Sequence, residues 1–303
     1  MKKTNLKKPV LAAISATILS TLAACGGDAT IPGQGSIATQ EGQFIDSPVQ
    51  GLRYDAGSGI TGVTDEDGKF RYIQGKEISF FIGETLLGTA EGSQIMTPVN
   101  LAKAENENNG INSPALLNRL KLLQALDSDG NPDNGITLLE NVTLPGTTTL
   151  NFAVDVVNFV TQPVVNSLLN LFGRVESDLP TDTQALEHFE EYALTNLLQG
   201  CYVGNIRDIG AVTLKVNPNG SINGLVPLQS GATPTSVTGT MRGDGSFSFG
   251  PVGALDTFVG EVVPIDGQSI GVFSYEAMNA QGGLISRNPL KFPSFDVSGC
   301  STL

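Results

Sequence analysis

The sequence predicts an α+β protein that is mainly β, because the spacing of its apolar residues changes twice along the chain. Short alternating runs separated by turns fill residues 44–97, and apolar residues at three- and four-residue steps follow in residues 98–200. Short strands with tight turns then recur through residues 201–303. We therefore expect a small antiparallel β module, a helical middle region and a C-terminal antiparallel β-barrel or sandwich.

The β module is expected to consist of hairpins that start at Phe44. Residues 69–72, with the sequence KFRY, alternate polar and aromatic side chains, and residues 78–82 predict an apolar strand. Asp65 and Asp67 stand just before a glycine and could be metal ligands. An Asp-Gly turn between two strands accounts for the same residues, and it is the interpretation that we favour.

The middle region predicts three helices. The first has Ser113 as its N-cap and Pro114 at its first position. The second covers a strongly apolar stretch that is expected to kink at Pro163. The third begins with Thr181 and Gln184 at the spacing of a capping box, and its acidic side chains are expected to point outward.

The N-terminal residues have the features of a secretory signal peptide. The first eight residues carry four lysines and no acid, and residues 10–24 are apolar or small and uncharged. This run is too short to span a bilayer, so residues 1–24 are predicted to be a cleaved signal peptide. Residues 25–43 are rich in Gly, Ser, Thr and Gln, which predicts a flexible tether.

Residues 22–25, Leu-Ala-Ala-Cys, resemble the lipobox of bacterial lipoproteins. The resemblance implies that Cys25 becomes the first residue, receives a diacylglycerol thioether and is acylated at its amine, giving a palmitate-type anchor that holds the protein on a membrane. In such lipoproteins an aspartate directly after the cysteine marks retention in the inner membrane. Gly26 therefore implies the bacterial outer membrane, with either of its faces left open.

Once Cys25 is acylated, two cysteines remain in the chain, Cys201 and Cys300. An exported protein meets an oxidising compartment, so we expect them to form a disulfide bond, with two free buried thiols as the alternative. The bond would close the C-terminal β domain as a loop of about 100 residues. The chain-entropy model gives a stabilisation of roughly 4–5 kcal/mol for such a loop.

The charge of the chain excludes one class of partner. The formal net charge is −13, and removal of residues 1–24 takes away four lysines and no acid, which leaves −17. An acidic surface of this kind repels nucleic acid and anionic lipid headgroups, and it attracts divalent cations or basic partners. We therefore expect no nucleic-acid partner.

The β module and the helix after it resemble the N-terminal region of a group of bacterial surface lipoproteins. The first block follows the pattern D-S-x-V-x-G-x-x-Y…G-x-T-D-x-x-G-x-F-x-Y…G, and its matching positions are Asp46, Ser47, Val49, Gly51, Tyr54, Gly62, Thr64, Asp65, Gly68, Phe70, Tyr72 and Gly75. The second block follows L-L-Q-x-L-D-x-D-G-x-x-x-N-G-I, with matches at Leu122, Leu123, Gln124, Leu126, Asp127, Asp129, Gly130, Asn134, Gly135 and Ile136. In that group very different C-terminal parts follow, lipases and adhesin-like domains among them. The resemblance therefore implies a surface or periplasmic location and not a reaction.

The end of the first helix carries a candidate calcium loop. Asp127, Asp129, Asn131 and Asp133 alternate along the chain, which is the oxygen spacing of such a loop. Pro132 stands where an EF-hand has its glycine, and no glutamate follows at the twelfth position. The alternative is a structural turn at the end of a helix.

The sequence predicts that the chain is not an enzyme and has no catalytic residues. Residues 267–271, GQSIG, match a hydrolase motif around Ser269, but they lead into a predicted strand and no histidine follows them. His188 is the sole histidine and is expected at the edge of the core or on the surface. With one histidine, and with the cysteines assigned to the anchor and the disulfide, the sequence offers neither three zinc ligands nor a catalytic Cys–His pair. Glu187 and Glu190 are expected on a solvated helix face.

Together these features predict a non-enzymatic, lipid-anchored envelope protein with a binding or adhesion role at the bacterial cell surface. Its partner would be an envelope protein or an extracellular polymer. The alternative is a carrier of a hydrophobic small molecule such as a lipid or hydrocarbon, with its pocket in the β domain or beside the apolar helix around Pro163. A hydrolase is the third hypothesis.

Overall fold

The computed structural model describes residues 38–105, 110–140, 142–144, 149–206, 210–227, 231–251, 257–265, 268–278, 284–291 and 300. The predicted signal peptide, Cys25 and residues 25–37 of the predicted tether lie outside the described residues. Residues 38–303 form one compact unit. Their buried apolar residues form one continuous cluster, from Phe44 in the first strand to Val262 in the C-terminal sheet. The three predicted regions therefore share one core.

In the described part of the chain, nine short strands build the N-terminal β module. They are β1 Gln40–Phe44, β2 Val49–Gln50, β3 Arg53–Asp55, β4 Thr61–Val63, β5 Lys69–Tyr72, β6 Glu77–Ile82, β7 Thr85–Glu91, β8 Ile95–Met96 and β9 Ile136–Thr137. They pair in three sheets, with the orders β5-β1-β8, β4-β3-β6-β7 and β2-β9. β6 buries Ile78, Phe80 and Ile82 at alternate positions, as its apolar run predicts.

Two pairings differ from the antiparallel hairpins that the sequence predicts. β1 runs parallel to β8, with Phe44 opposite Met96, and β2 runs parallel to β9, with Val49 opposite Ile136. Parallel neighbours need a long connection, so local turn signals do not reveal them. β1 also begins before Phe44, and residues 40–43, which were expected in the tether, belong to the β module.

The segment between β4 and β5 is the turn that we favoured for Asp65 and Asp67. The Asp65 carboxylate accepts hydrogen bonds from the backbone N–H groups of Asp67 and Lys69, at 3.0 and 2.8 Å. Gly68 has φ +74, and a Cβ there would lie 2.6 Å from the carbonyl oxygen of Phe44, so this position requires glycine. Since β4 and β5 belong to different sheets, the turn connects two sheets and closes no hairpin.

The described residues contain five α-helices where the sequence predicts three. They are α1 Pro98–Ala104, α2 Pro114–Ala125, α3 Val156–Val160, α4 Pro163–Leu171 and α5 Asp182–Ala193. α5 continues as a π-helical turn over Leu194–Leu198, and 3₁₀ turns span Gly110–Asn112, Pro132–Asn134 and Glu176–Asp178. α1 has only seven residues, too few to show a helical period in the sequence.

Prolines and caps mark where the helices start. Pro163 does not kink a helix as predicted, because it is the first residue of α4 and α3 ends before it. Gln162 has an extended backbone with ψ 129, the conformation that a following proline favours. α2 starts at Pro114, as predicted. At α5 the predicted capping box is present, since Thr181 Oγ1 accepts a hydrogen bond from the N–H of Gln184 at 3.2 Å.

The described C-terminal strands form an antiparallel meander in which each strand pairs with the next. They are β10 Gly200–Ile206, β11 Gly210–Val216, β12 Ser221–Val226, β13 Thr235–Met241, β14 Ser246–Pro251, β15 Thr257–Ile265, β16 Gln268–Met278 and β17 Leu284–Lys291. The sheet curls until β10 and β17 approach each other, which fits the barrel-like alternative. The predicted α+β, mainly β fold class is confirmed.

The two C-terminal cysteines lie at disulfide distance, as the sequence predicts. The Cα atoms of Cys201 and Cys300 are 5.7 Å apart, within the usual range for a disulfide. Both residues are buried, with exposed fractions of 2% and 8%. The bond would connect the first strand of the meander to a residue beyond its last strand.

A charged contact joins α5 to the C-terminal sheet. Arg242 donates to both carboxylate oxygens of Glu190, at 2.6 and 3.1 Å, and the N–H of Gly243 donates to the same carboxylate at 3.1 Å. The expectation that Glu190 faces solvent beside Glu187 is therefore wrong, because the turn after β13 packs over it. Glu187 is exposed, as expected.

Arg119 of α2 is the largest fully buried side chain among the described residues. Its Nε and Nη1 donate to the carbonyl oxygens of Leu87 and Ala115, each at 2.8 Å. Its Nη2 pairs with Glu105, and its guanidinium carbon lies 4.3 Å from the centroid of the Phe152 ring. One side chain thus holds β7, α1, α2 and the segment before α3 together.

Candidate functional site

The two sequence blocks that carry the surface-lipoprotein resemblance contact each other directly. Gln124 Nε2 in α2 donates to both carboxylate oxygens of Asp46, at 3.2 and 3.1 Å, and to the carbonyl oxygen of Ala185 in α5 at 3.0 Å. The Ser47 hydroxyl donates to the carbonyl oxygen of Pro132 at 2.7 Å. The matched residues therefore join the β module to the helices and serve the fold.

The carboxylates of the acidic loop bind the loop itself. Asp127 accepts from the N–H groups of Thr137 and Asn131, each at 2.8 Å. Asp129 accepts from the N–H of Asn131 at 2.8 Å and from the side-chain amide of Asn134 at 2.9 Å. Burial raises the pKa of Asp127, whereas the hydrogen bond from Asn134 leads the interactions that lower the pKa of Asp129.

These bonds favour the structural turn over the calcium loop. Asp127 and Asp129 lie side by side, since both accept from the N–H of Asn131. Within the described ranges, however, no group of three or more His, Cys, Asp or Glu residues is placed to hold a metal ion. Asn131 contributes its backbone N–H to this turn. Pro132 begins the 3₁₀ turn that directs Asp133 away from the other acids and towards α5.

A buried carboxylate and the sole histidine face each other where the two blocks meet. Asp46 has no exposed surface, and burial raises its pKa to about 8 against the opposing effect of the Gln124 hydrogen bond. His188 Nε2 lies 4.0 Å from Asp46 Oδ1, and its Nδ1 lies 3.0 Å from Asp133 Oδ1. The sequence predicted His188 at the core edge or on the surface. No spacing in the sequence relates it to Asp46, because only the fold brings the two residues together.

The hydrolase motif does not have the backbone that its chemistry requires. Ser269 is the second residue of β16, and a strand runs on from it to Met278. A nucleophile elbow needs a strand, a sharp turn and then a helix. Ser269 therefore lies in a strand and not in a nucleophile elbow.

An exposed row of side chains crosses the four-stranded sheet. Val63, Arg53, Phe81 and Leu86 stand directly opposite one another on β4, β3, β6 and β7. Val63 and Leu86 are 47% and 44% exposed. The Arg53 guanidinium carbon lies 3.8 Å from the Phe81 ring centroid, and its Nε donates to the carbonyl oxygen of Gly83 at 3.1 Å. Sequence reasoning missed this row because each strand contributes only one residue to it.

One end of the row opens into a groove of about 330 Å³, which we name the sheet groove. Its lining consists of Gly51, Arg53, Val63, Gly83, Glu84, Glu140, Val142 and Thr143. Gly83 has φ +60, and a Cβ there would lie 2.1 Å from the carbonyl oxygen of Val142. Glycine therefore allows the segment around Val142 to approach the β6–β7 turn and form one wall of the groove.

A second cavity lies between the helices and the C-terminal sheet. Its volume is about 150 Å³, and Val99, Leu197, Leu198 and Val262 line it together with the Lys103–Glu261 ion pair. Pockets for drug-sized ligands have volumes of about 300–1,000 Å³. On the inner face of the sheet, the rings of Phe247, Phe249 and Phe258 stack in succession, with centroids 5.7 and 5.1 Å apart.

No family model, no curated protein and no solved structure matches this chain. Among the residues that the structure describes, no helix is both long and apolar enough to cross a membrane. The function is therefore inferred from the chain's own residues and their geometry.

Proposed function

We propose that the chain is a non-enzymatic, lipid-anchored protein of the bacterial outer membrane that binds a basic polypeptide partner through the sheet groove. The observation that carries this proposal is the row beside the groove, in which the groove residue Arg53 stacks on the half-buried Phe81 between the exposed side chains of Val63 and Leu86. Arginine and aromatic residues are enriched among the side chains that dominate binding energy at protein interfaces. Exposed apolar residues aligned in one row mark an interaction surface more strongly than scattered ones.

Charge favours a basic occupant. Glu84 and Glu140 line the sheet groove and are exposed, and no ion pair of either is found within the described residues. Arg53 is the one basic lining residue of the groove, and it already contacts the Phe81 ring and the Gly83 carbonyl. The formal charge of the whole chain is −13. Lysine and arginine side chains of a partner would therefore be attracted, and an acidic partner repelled.

The proposed location on a membrane rests on the sequence. The basic, apolar and small segments of residues 1–24 support export. The lipobox resemblance supports acylation of Cys25, and several acyl chains anchor a protein almost irreversibly at about 0.8 kcal/mol per buried methylene. A tether after Cys25 would leave the groove free to meet a partner in the envelope.

The described part of the chain favours a binding surface over the alternative of a hydrophobic carrier. The cavity of about 150 Å³ between the helices and the C-terminal sheet is lined partly by the Lys103–Glu261 ion pair, and it is smaller than a pocket for a lipid needs to be. Among the described side chains, Phe247 and Phe249 fill part of the inner face of the C-terminal sheet.

Reversing the charges of Glu84 and Glu140, the two acidic residues of the sheet groove, tests whether the groove binds a basic partner. The probe is a fluorescent peptide of alternating lysine and valine residues, and its binding is measured by fluorescence anisotropy. We expect the Glu84→Lys/Glu140→Lys protein to bind the peptide at least about tenfold more weakly than the unaltered protein, because two attractive charges become repulsive. A matched peptide of alternating glutamate and valine should bind neither protein.

Glu77→Lys/Glu91→Lys is the matched control. It changes the net charge by the same amount on the same sheet, but Glu77 and Glu91 pair with each other at the end of the β6–β7 hairpin away from the groove. We expect this variant to keep most of the binding. Equal losses in the two variants would mean that the peptide senses only the overall charge, and the groove proposal would fail.

The anchor is tested by mass analysis and by cell fractionation. Intact-mass analysis of the protein purified from membranes is expected to show residue 25 as the first residue, carrying acyl chains. Cys25→Ser should move the protein from the membrane fraction to the soluble fraction. An unacylated chain that still contains residues 1–24 would contradict the anchor without bearing on the groove.

A further inference from the structure

We propose that Asp46 and His188 share a proton and act as a pH-sensitive latch that holds α5 against the β module. Asp46 lies in the turn after β1, and His188 lies in the middle of α5. The Asp46 carboxylate is fully buried, and the His188 side chain is 10% exposed. The pair is therefore enclosed at the junction of two parts of the fold that are far apart in sequence.

The bonding pattern leaves one nitrogen for the shared proton. His188 Nδ1 lies 3.0 Å from Asp133 Oδ1, so this nitrogen carries a hydrogen and donates it to the carboxylate. Nε2 is buried without a hydrogen-bond partner in the described residues and points at Asp46, 4.0 Å away. A single proton, on either the carboxyl group or Nε2, makes the pair neutral. Its loss leaves a buried carboxylate opposite a neutral ring, which is costly.

The charged and titratable groups described around the pair do not neutralise the Asp46 carboxylate in place of this proton. On the solvent side, Asp133, Glu191 and Tyr192 line a depression beside His188. On α2, the charge of Lys121 is paired with Asp182 at 2.9 Å.

In the acidic loop, the carboxylate of Asp127 accepts backbone hydrogen bonds within the loop. Arg174 donates to the carbonyl oxygens of Asp127 and Ser128. These neighbours are acids, a phenol or basic groups that are already bonded, so the charge of Asp46 is balanced by the shared proton.

The latch is expected to weaken as the pH rises. Burial raises the pKa of Asp46 to about 8 in the folded protein, against 3.8 for an exposed aspartate. The stabilisation is thus complete below about pH 4 and is lost as the pH rises through about 8. α5 also carries Glu190, which pairs with Arg242 just after β13. Release of α5 would therefore also disturb its contact with the C-terminal sheet.

The sole histidine makes the latch directly observable. The protein is purified without a histidine tag and labelled with ¹⁵N-histidine, and its imidazole signals are followed by NMR as the pH is raised. We expect the His188 ring signals to shift in a step at about pH 8, where Asp46 loses its proton, because Nε2 lies 4.0 Å from that carboxylate. Ring signals that show no step there would overturn the proposal.

Asp46→Asn removes the titration while it keeps the size of the side chain and an acceptor for Gln124. We expect the step at about pH 8 to be absent in this variant, because the carboxyl group that loses the proton is gone. Asp133→Asn is the matched control. Asp133 is 83% exposed, so we expect this variant to keep the step. Loss of the step in both variants, or in neither, would contradict the latch.

The unaltered protein supplies a test that does not depend on whether a variant folds. The unfolding equilibrium constant, measured with urea at a series of pH values, is expected to rise with pH between about 4 and 8, by at most about tenfold per pH unit for one proton. A constant that does not rise over this interval would exclude a protonated Asp46 in the folded protein.

Discussion

Reduction of the bond between Cys201 and Cys300 is expected to lower the free energy of unfolding by roughly 4–5 kcal/mol. The two cysteines are 99 residues apart in sequence, so the bond restricts a long loop in the unfolded chain. Both side chains are buried at the ends of the C-terminal meander, and their removal also costs packing. Guanidinium unfolding of the oxidised and the reduced protein measures the difference.

Cys25→Ser is the background for this experiment, because it leaves one pair of thiols. Cys201→Ala/Cys300→Ala should then be at least as unstable as the reduced protein, because it also loses two buried sulfur atoms, and its stability should no longer respond to reductant. Two thiols that react with an alkylating agent in the native, unreduced protein would show that the cysteines are free, which is the alternative that the sequence left open.

Arg119→Met is expected to destabilise the protein by about 3 kcal/mol or more. Methionine fills part of the space, but it leaves the carbonyl oxygen of Leu87 without the donor that it has now. The contact with the Phe152 ring and the ion pair with Glu105 are lost as well. Urea unfolding, with the slope compared between the two proteins, measures the change.

Three further substitutions separate these contributions. Glu105→Gln removes the ion pair only, and because Glu105 is 38% exposed we expect a loss of about 1 kcal/mol or less. Arg119→Lys keeps the charge but not the planar group that bonds in several directions, so its loss should lie between the other two. Lys76→Met, at an exposed turn, should have little effect. An Arg119→Met protein as stable as this control would refute the role of Arg119.

The features predicted correctly from the sequence depend on residues close together in the chain. The capping box of Thr181 and Gln184 is complete within one helical turn. The turn at Asp65 and Gly68 is likewise held by hydrogen bonds within five consecutive residues, from Asp65 to Lys69. The regular strands of the C-terminal sheet follow from alternation and tight turns, and each strand pairs with its neighbour in sequence.

The features that the sequence did not reveal depend on contacts across long stretches of chain. The pairing of β2 with β9 leaves no periodic signal, because β9 has two residues. Pro163 was expected to kink one helix, since the apolar run continues through it and does not show the break before α4. The approach of His188 to Asp46 and the row on the four-stranded sheet likewise arise only when the strands and helices are assembled.

The parallel pairing of β2 with β9 has a consequence for biosynthesis. As the chain is synthesised from the N-terminus onwards, the β module stays incomplete until residue 137 has emerged, because its last strand, β9, follows α2. Asp46 likewise lacks its hydrogen bonds from Gln124 until that residue has emerged. A fragment cut at residue 97 would therefore present an open strand edge to proteases and to other chains, although the hydrophobic pattern suggests a domain boundary there.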